Sequence, residues 1–122
     1  MVVGKAVPAE GPLVLLVSSQ YMGQGEHEEL GTILIRAFFH TLGEVAPLPD
    51  TIVFLNSGVK LVVEGSPVVE DLNAICAQGI EVLACGTCLE YYGLKDRLAV
   101  GEISNMYTIA ETLLGAGKVV KL

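Results

Sequence analysis

Two cysteines three residues apart, Cys85 and Cys88, enclose Gly86 and Thr87 in the stretch ACGTCLEYYG, residues 84–93. Thiols at this spacing can hold a metal, form a disulfide, run redox exchange or carry sulfur as a persulfide. Structural zinc takes four ligands, usually from two such pairs. Beyond the pair, the chain offers one further cysteine, Cys76, and two histidines, His27 and His40. Cys76 falls on the apolar face of one candidate helix, and His40 lies near the far end of another. No metal site is therefore expected within one chain, although zinc shared between subunits stays open. A redox role has local support. Thr87 as cap of a short helix would leave Cys88 at the helix N-terminus, where the dipole and free amides favour a thiolate. Gly86 permits the turn that precedes it. Against it, the motif does not follow an early strand, and no proline matches the cis-proline loop that thioredoxin needs. In sulfur relay, a thiolate takes the terminal sulfur of a persulfide. A second cysteine can then release that sulfur by attacking the persulfide, leaving a disulfide. The plain alternative is packing, since free cysteine is commonly buried.

The elements around the pair suggest where it stands. Ile80 to Ala84 is an apolar strand running into Cys85. Leu13 to Val17 and Thr51 to Leu55 are two earlier strands, apolar throughout or nearly so, as in strands covered on both faces. A short strand is expected over Ala99 to Ile103 and a fifth over Lys118 to Leu122. Helices are expected between them: Glu26 to Leu42, one opened by Ser66-Pro67 and closed by Gly79, a short one over Cys88 to Tyr92, and one capped by Ser104. In the last helix Met106, Ile109, Ala110, Leu113 and Leu114 form the expected core face. Alternating strands and helices argue for a parallel sheet with helices on both faces. Such a sheet binds ligands beyond its strand C-termini. Three loops share that edge: 18–25, 56–65 and 85–88.

The first helix is apolar over most of its circumference. Leu30, Ile33, Leu34, Ala37 and Phe38 form one stripe, and Ile35 and Phe39 lie well round from it. In so short a chain this points to a subunit contact. Asn56, Ser57 and Lys60 follow the second strand and are candidates to line the same crevice as the thiols. Asn56 can bond a sulfur species or simply shape the turn, and asparagine favours turns. Lys60 can favour thiolates by its charge or stand solvated at the surface. The GQGE loop at residues 23–26 lacks the glycine spacing and lysine of a phosphate loop and is followed by glutamates. His27 is read as an exposed first-turn residue.

Seven basic and fourteen acidic residues give a net charge of −7, which disfavours nucleic acid as a partner. The 122 residues fit one domain, with residues 1–12, rich in glycine and proline, as a flexible lead-in and 13–122 as the fold. The composition is 52% apolar and 17% charged, an excess that suits surface buried between subunits. No run approaches the ~20 apolar residues of a membrane span, and no signal peptide is evident. A cytoplasmic protein is expected, with thiols mostly reduced. Three cysteines do not make a complete internal disulfide framework.

The stretches ACGTCLEYYGLKDRL, VFLNSGVKLVVEGSPVVEDL and GEISNMYTIAETLL together resemble the DsrE/DsrF-like sulfur-relay family. The resemblance runs from about Leu13 to the end, with ELG at residues 29–31 similar to the family's first helix. Within the family, the nearest likeness is to the C-terminal domain of YedF-type proteins, which carry a selenium-metabolism label. The resemblance implies a three-layer α/β/α fold on a mainly parallel five-stranded sheet, and assembly into trimers or hexamers. It implies that Cys85, at the strand end, accepts sulfur or selenium as a persulfide, with Cys88 as second thiol and no cofactor. Asn56, Ser57, Lys60, Gly86 and Thr87 are the residues expected to surround the bound sulfur. Full YedF-type proteins resemble a fusion with a TusA-like domain. No stretch here resembles that domain, so the chain is expected to be either an excised domain or a free-standing relative, with a TusA-like partner then acting in trans. The rival expectation is a non-catalytic oligomeric binding or assembly module with structural cysteines.

Overall fold

A computed structural model describes residues 11–122. The expected lead-in at 1–12 lies, for residues 1–10, outside the described residues. Five parallel strands form one sheet in the order β4-β3-β2-β1-β5. The strands are β1 Leu13–Val17, β2 Thr51–Phe54, β3 Glu81–Cys85, β4 Glu102–Ser104 and β5 Lys118–Lys121. The α-helices are α1 Glu28–Leu42, α2 Val69–Cys76, α3 Gly86–Tyr91 and α4 Met106–Leu114, with 3₁₀ turns at Asn56–Leu61 and Lys95–Arg97. From β1 to β4 each step moves the same way across the sheet. Right-handed crossovers therefore bring α1 and α2 to one face, where they pack together. The return from β4 to β5 runs the opposite way and places α4 on the other face. The result is the expected three-layer α/β/α sandwich.

The core is built on the apolar strands. All four residues of β2 are buried, as are Val82 to Cys85 of β3. From α1, Ile35, Phe39 and Leu42 join them, and from α2, Leu72 and Ile75. Glycine is required where the chain passes close to the sheet. A Cβ on Gly58 would collide with the backbone carbonyl of Val17, so the 3₁₀ turn after β2 fits against the end of β1 only without a side chain. Leu55 N–H donates to Val17 O at 2.9 Å beside it.

In α1 the stripe of Leu30, Ile33 and Leu34 faces outward, with Leu30 and Ile33 each 55% exposed, whereas Gly31, Ile35 and Phe39 are buried. Two apolar arcs exist on this helix, and periodicity does not say which one the sheet takes. Other local expectations are corrected. Met106 of α4 is 60% exposed and Leu114 is exposed as well; Ile109 alone on that helix is fully buried. One nine-residue helix covers its face of the sheet, so it has little to pack against at either end. The cap of α4 is Asn105, whose Oδ1 accepts from Thr108 N–H at 2.9 Å, rather than Ser104, which ends β4. Ser66 does not cap α2 directly. Its hydroxyl accepts from Val68 N–H at 3.2 Å in a turn ahead of the helix, and Val68 stands at the N-cap.

Candidate functional site

β3 delivers the dithiol. Its last residue, Cys85, is also the N-cap of α3, with backbone angles of −65° and 118°, and Cys88 lies one helical turn further on. Gly86 fits closely at this junction: a Cβ there would stand 3.1 Å from both Ile103 Cγ2 and Ser104 O on the neighbouring strand, a tight approach. The expected Thr87 cap is therefore replaced by Cys85. Thr87 is instead an exposed residue within α3.

The two thiols differ in access. Cys85 is 2% exposed and belongs to the core cluster. Its expected place at an open pocket rim is corrected by this burial, because the end of β3 lies within the core. Cys88 is half-buried and forms part of an open depression of about 420 Å³, lined with Asn56, Thr87, Tyr91 and Tyr92. Tyr91 and Tyr92 were not singled out by sequence, yet the signal was present. They follow Cys88 by three and four residues, the spacing that brings side chains together on a helix.

The turn after β2 faces the thiol from across the depression. Asn56 N–H donates to Cys88 Sγ at 3.1 Å. Asn56 has φ +51, the one non-glycine residue in the left-handed region among those described. That conformation aims its amide at the sulfur. Its side chain is held from two sides: Oδ1 accepts from Ser57 N–H at 2.9 Å and from the Tyr92 hydroxyl at 3.4 Å. So the turn-shaping and sulfur-contacting readings of Asn56 describe the same residue: the side chain shapes the turn and the backbone touches the sulfur.

Ser57 and Lys60 do other work than expected. Ser57 Oγ accepts from Gln20 N–H at 3.2 Å, tying the loop after β1 to the turn after β2, and it does not line the depression. Lys60 Nζ sits 4.5 Å from the centre of the Tyr92 ring, a cation–π contact. It braces Tyr92, which in turn holds Asn56. That thiol is pushed above its ordinary value, first by burial and further by the adjacent Cys85 thiol, against the opposing pull of the Asn56 N–H. The expected thiolate at a helix N-terminus is thus corrected. The loss of solvent around the sulfur favours the neutral thiol.

The loop after β1 forms a separate hollow of about 490 Å³ with α1, lined in part by Tyr21, Met22, His27 and Leu34. It does not reach the thiols, so the three sheet-edge loops do not converge on a single crevice. His27 is exposed, as expected, with Glu26 as its neighbour at 4.0 Å. Cys76 is half-buried in α2, where burial raises its pKa. Among the described residues no three His, Cys, Asp or Glu side chains converge to hold a metal. Among them, too, no helix is long and apolar enough to cross a membrane.

Fold and site define a parallel α/β/α domain that presents one open and one covered thiol at the end of a central strand. The DsrE/DsrF-like family profile matches residues 13–122, and the chain belongs to that family, which is associated in general with sulfur relay. Solved structures share the fold. The YchN protein of E. coli superposes with a TM-score of 0.61 at 20% identity, covering 91% of this chain and 99% of that one. MTH1491 of Methanobacterium thermoautotrophicum, a protein of unknown function, gives 0.60 at 16% identity, covering 90% and 97%. BT1422 of Bacteroides thetaiotaomicron, a conserved protein of unknown function, gives 0.60 at 14% identity, covering 96% and 100%. No curated protein matches the sequence.

Proposed function

We propose that this protein carries sulfur as a persulfide and that Cys88, rather than Cys85, is the thiol that receives it. One observation carries this reading: Cys88 is the member of the pair that lines an open depression, with a backbone N–H directed at its sulfur. In the step, the Cys88 sulfur attacks the outer sulfur of a donor persulfide. A new S–S bond forms on Cys88, the donor's S–S bond breaks, and the donor leaves as a thiol that takes up the Cys88 proton. The Asn56 N–H is placed to bond the thiolate before attack, which offsets part of the burial penalty. The raised pKa keeps most of the population protonated at neutral pH but makes each thiolate a stronger nucleophile.

The exposed stripe of Leu30, Ile33 and Leu34 supports assembly into a homo-oligomer, a trimer or hexamer. The open mouth of the depression suits a donor or acceptor presented on another protein, for which a TusA-like carrier is the proposed partner. The same chemistry serves selenium. The nearer likeness to YedF-type proteins and a cytoplasmic location belong to this proposal as well.

Intact-mass spectrometry after incubation with a persulfide donor tests the assignment. An adduct of about 32 Da is expected in Cys85→Ala and absent in Cys88→Ser. The reverse pattern overturns the role given to Cys88. An adduct in neither variant, with both thiols slow to alkylate, favours the structural-cysteine module.

A further inference from the structure

The geometry points to a second activity of the pair: Cys85 is a resolving thiol that discharges a Cys88 persulfide internally, releasing hydrosulfide and leaving a Cys85–Cys88 disulfide. This rests on Cys88 as the sulfur acceptor and goes beyond carriage. It makes the domain a reductive outlet for sulfur as well as a relay.

Three observations support it. First, Cys85 is 2% exposed, so neither a donor nor an acceptor protein can reach it from outside. The reactive group it can meet is the one beside it, on Cys88 three residues further along the chain. Second, the backbone suits a bridge. Cys85 is the N-cap and Cys88 the third residue of α3, which puts their Cα atoms about 5–6 Å apart, inside the span of a disulfide. Third, the two thiols are placed differently. Cys88 lines the depression, whereas Cys85 lies in the core and does not line it. An outer sulfur on Cys88 occupies the depression, leaving the inner Sγ for Cys85 to attack.

The reaction balances without an outside oxidant. The Cys85 sulfur attacks Cys88 Sγ, forming the bond between the two cysteines. The bond from Cys88 Sγ to the outer sulfur breaks, and its electron pair leaves with that sulfur. The Cys85 proton goes to the departing group, giving hydrogen sulfide. The outer sulfur is reduced and the two thiols are oxidised to a disulfide. Attack at Sγ is favoured over attack at the outer sulfur because hydrosulfide is a better leaving group than the Cys88 thiolate. A dithiol reductant, small or protein-borne, is the class of molecule required to reopen the disulfide. Its access is through Cys88, the sulfur that faces the depression.

The test is a single turnover without oxygen. Reduced protein is loaded with a low-molecular-weight persulfide, freed of donor by rapid gel filtration, and followed for released sulfide and intact mass. Wild type is expected to release about one equivalent of sulfide per loaded chain and finish about 2 Da lighter than the reduced protein, with the bridge mapped to Cys85 and Cys88. Cys85→Ala is expected to hold the ~32 Da adduct on Cys88 and release sulfide at least about tenfold more slowly. Cys76→Ala should behave as wild type. If wild type keeps the adduct as long as Cys85→Ala and frees no sulfide, the resolving role is overturned while carriage stands. If neither protein takes up the adduct and wild type frees no sulfide, carriage fails and resolution with it. Should Cys85→Ala not fold, the wild-type mass and disulfide map decide the matter alone, since a persistent adduct refutes the proposal and a mapped bridge with stoichiometric sulfide supports it.

Discussion

Asn56 is the residue on which the open thiol's surroundings depend, and replacing it with alanine and with glycine separates its two contributions. Its side chain accepts from Ser57 N–H and from the Tyr92 hydroxyl, and both bonds are exposed. Together they are worth about 1 kcal/mol. Its backbone stands at φ +51, which asparagine tolerates and alanine resists by about 1 kcal/mol. Glycine has no such resistance. Asn56→Gly should therefore lose about 1 kcal/mol and Asn56→Ala about 2 kcal/mol, measured by urea unfolding. The thiol should follow the backbone rather than the side chain. In Asn56→Gly the N–H stays on Cys88 Sγ, and alkylation of Cys88 at fixed pH stays within about twofold of wild type. In Asn56→Ala the residue relaxes out of the left-handed region and the N–H swings away. A charge-assisted bond of about 1.5 kcal/mol is lost to the thiolate, so alkylation slows about tenfold. Equal alkylation in the two variants, with equal stability, would refute the claim that the left-handed turn holds the thiol's hydrogen-bond donor.

Other predictions follow from the same geometry. Gly58→Ala drives a Cβ into the Val17 carbonyl and should cost about 3 kcal/mol by denaturant unfolding, with Cys88 alkylation altered in whatever fraction still folds. The pH dependence has a definite sign. The Cys88 and Cys76 thiols have folded values above their ordinary ones, so the folded state holds protons that the unfolded state has released. Their contribution to stability is complete below the ordinary thiol range of about 8.5 and is lost as pH climbs through the raised folded values. Cys88→Ala should flatten that alkaline decline in thermal unfolding, and an unchanged slope contradicts the burial of this sulfur. Ile33→Asp, on the outward stripe of α1, should leave the monomer's fold intact by circular dichroism and reduce the oligomer in sedimentation. Retention of the wild-type mass places the subunit contact elsewhere.

The strands and their order of appearance were legible because each is a short apolar run bounded by turn residues. β1 falls where the sequence puts it, and β2, β3 and β5 agree within a residue or two of it. β4 was expected from Ala99 and begins at Glu102. Its first expected residues carry a connection instead, in which Ala99 N–H bonds Val62 O at 2.8 Å and Val63 bridges Leu98. The segment 56–65 reads as a polar loop at its start, yet it buries Val59, Leu61, Val62 and Val63 in the core. Its apolar second half carried that information. The thiol pair was legible as a candidate site from its spacing. Which thiol is open was not, because this depends on how the core closes around the end of β3, a tertiary fact with no local signature. Nor does the local sequence show the solvent that packing removes from the Cys88 sulfur, which works against a thiolate at the helix terminus.

Fragment-resolved mass spectrometry of native wild-type protein, quenched within seconds of exposure to a persulfide donor, locates the first sulfur to arrive. The account predicts it on Cys88. Its appearance on Cys85, with Cys88 unmodified, contradicts it.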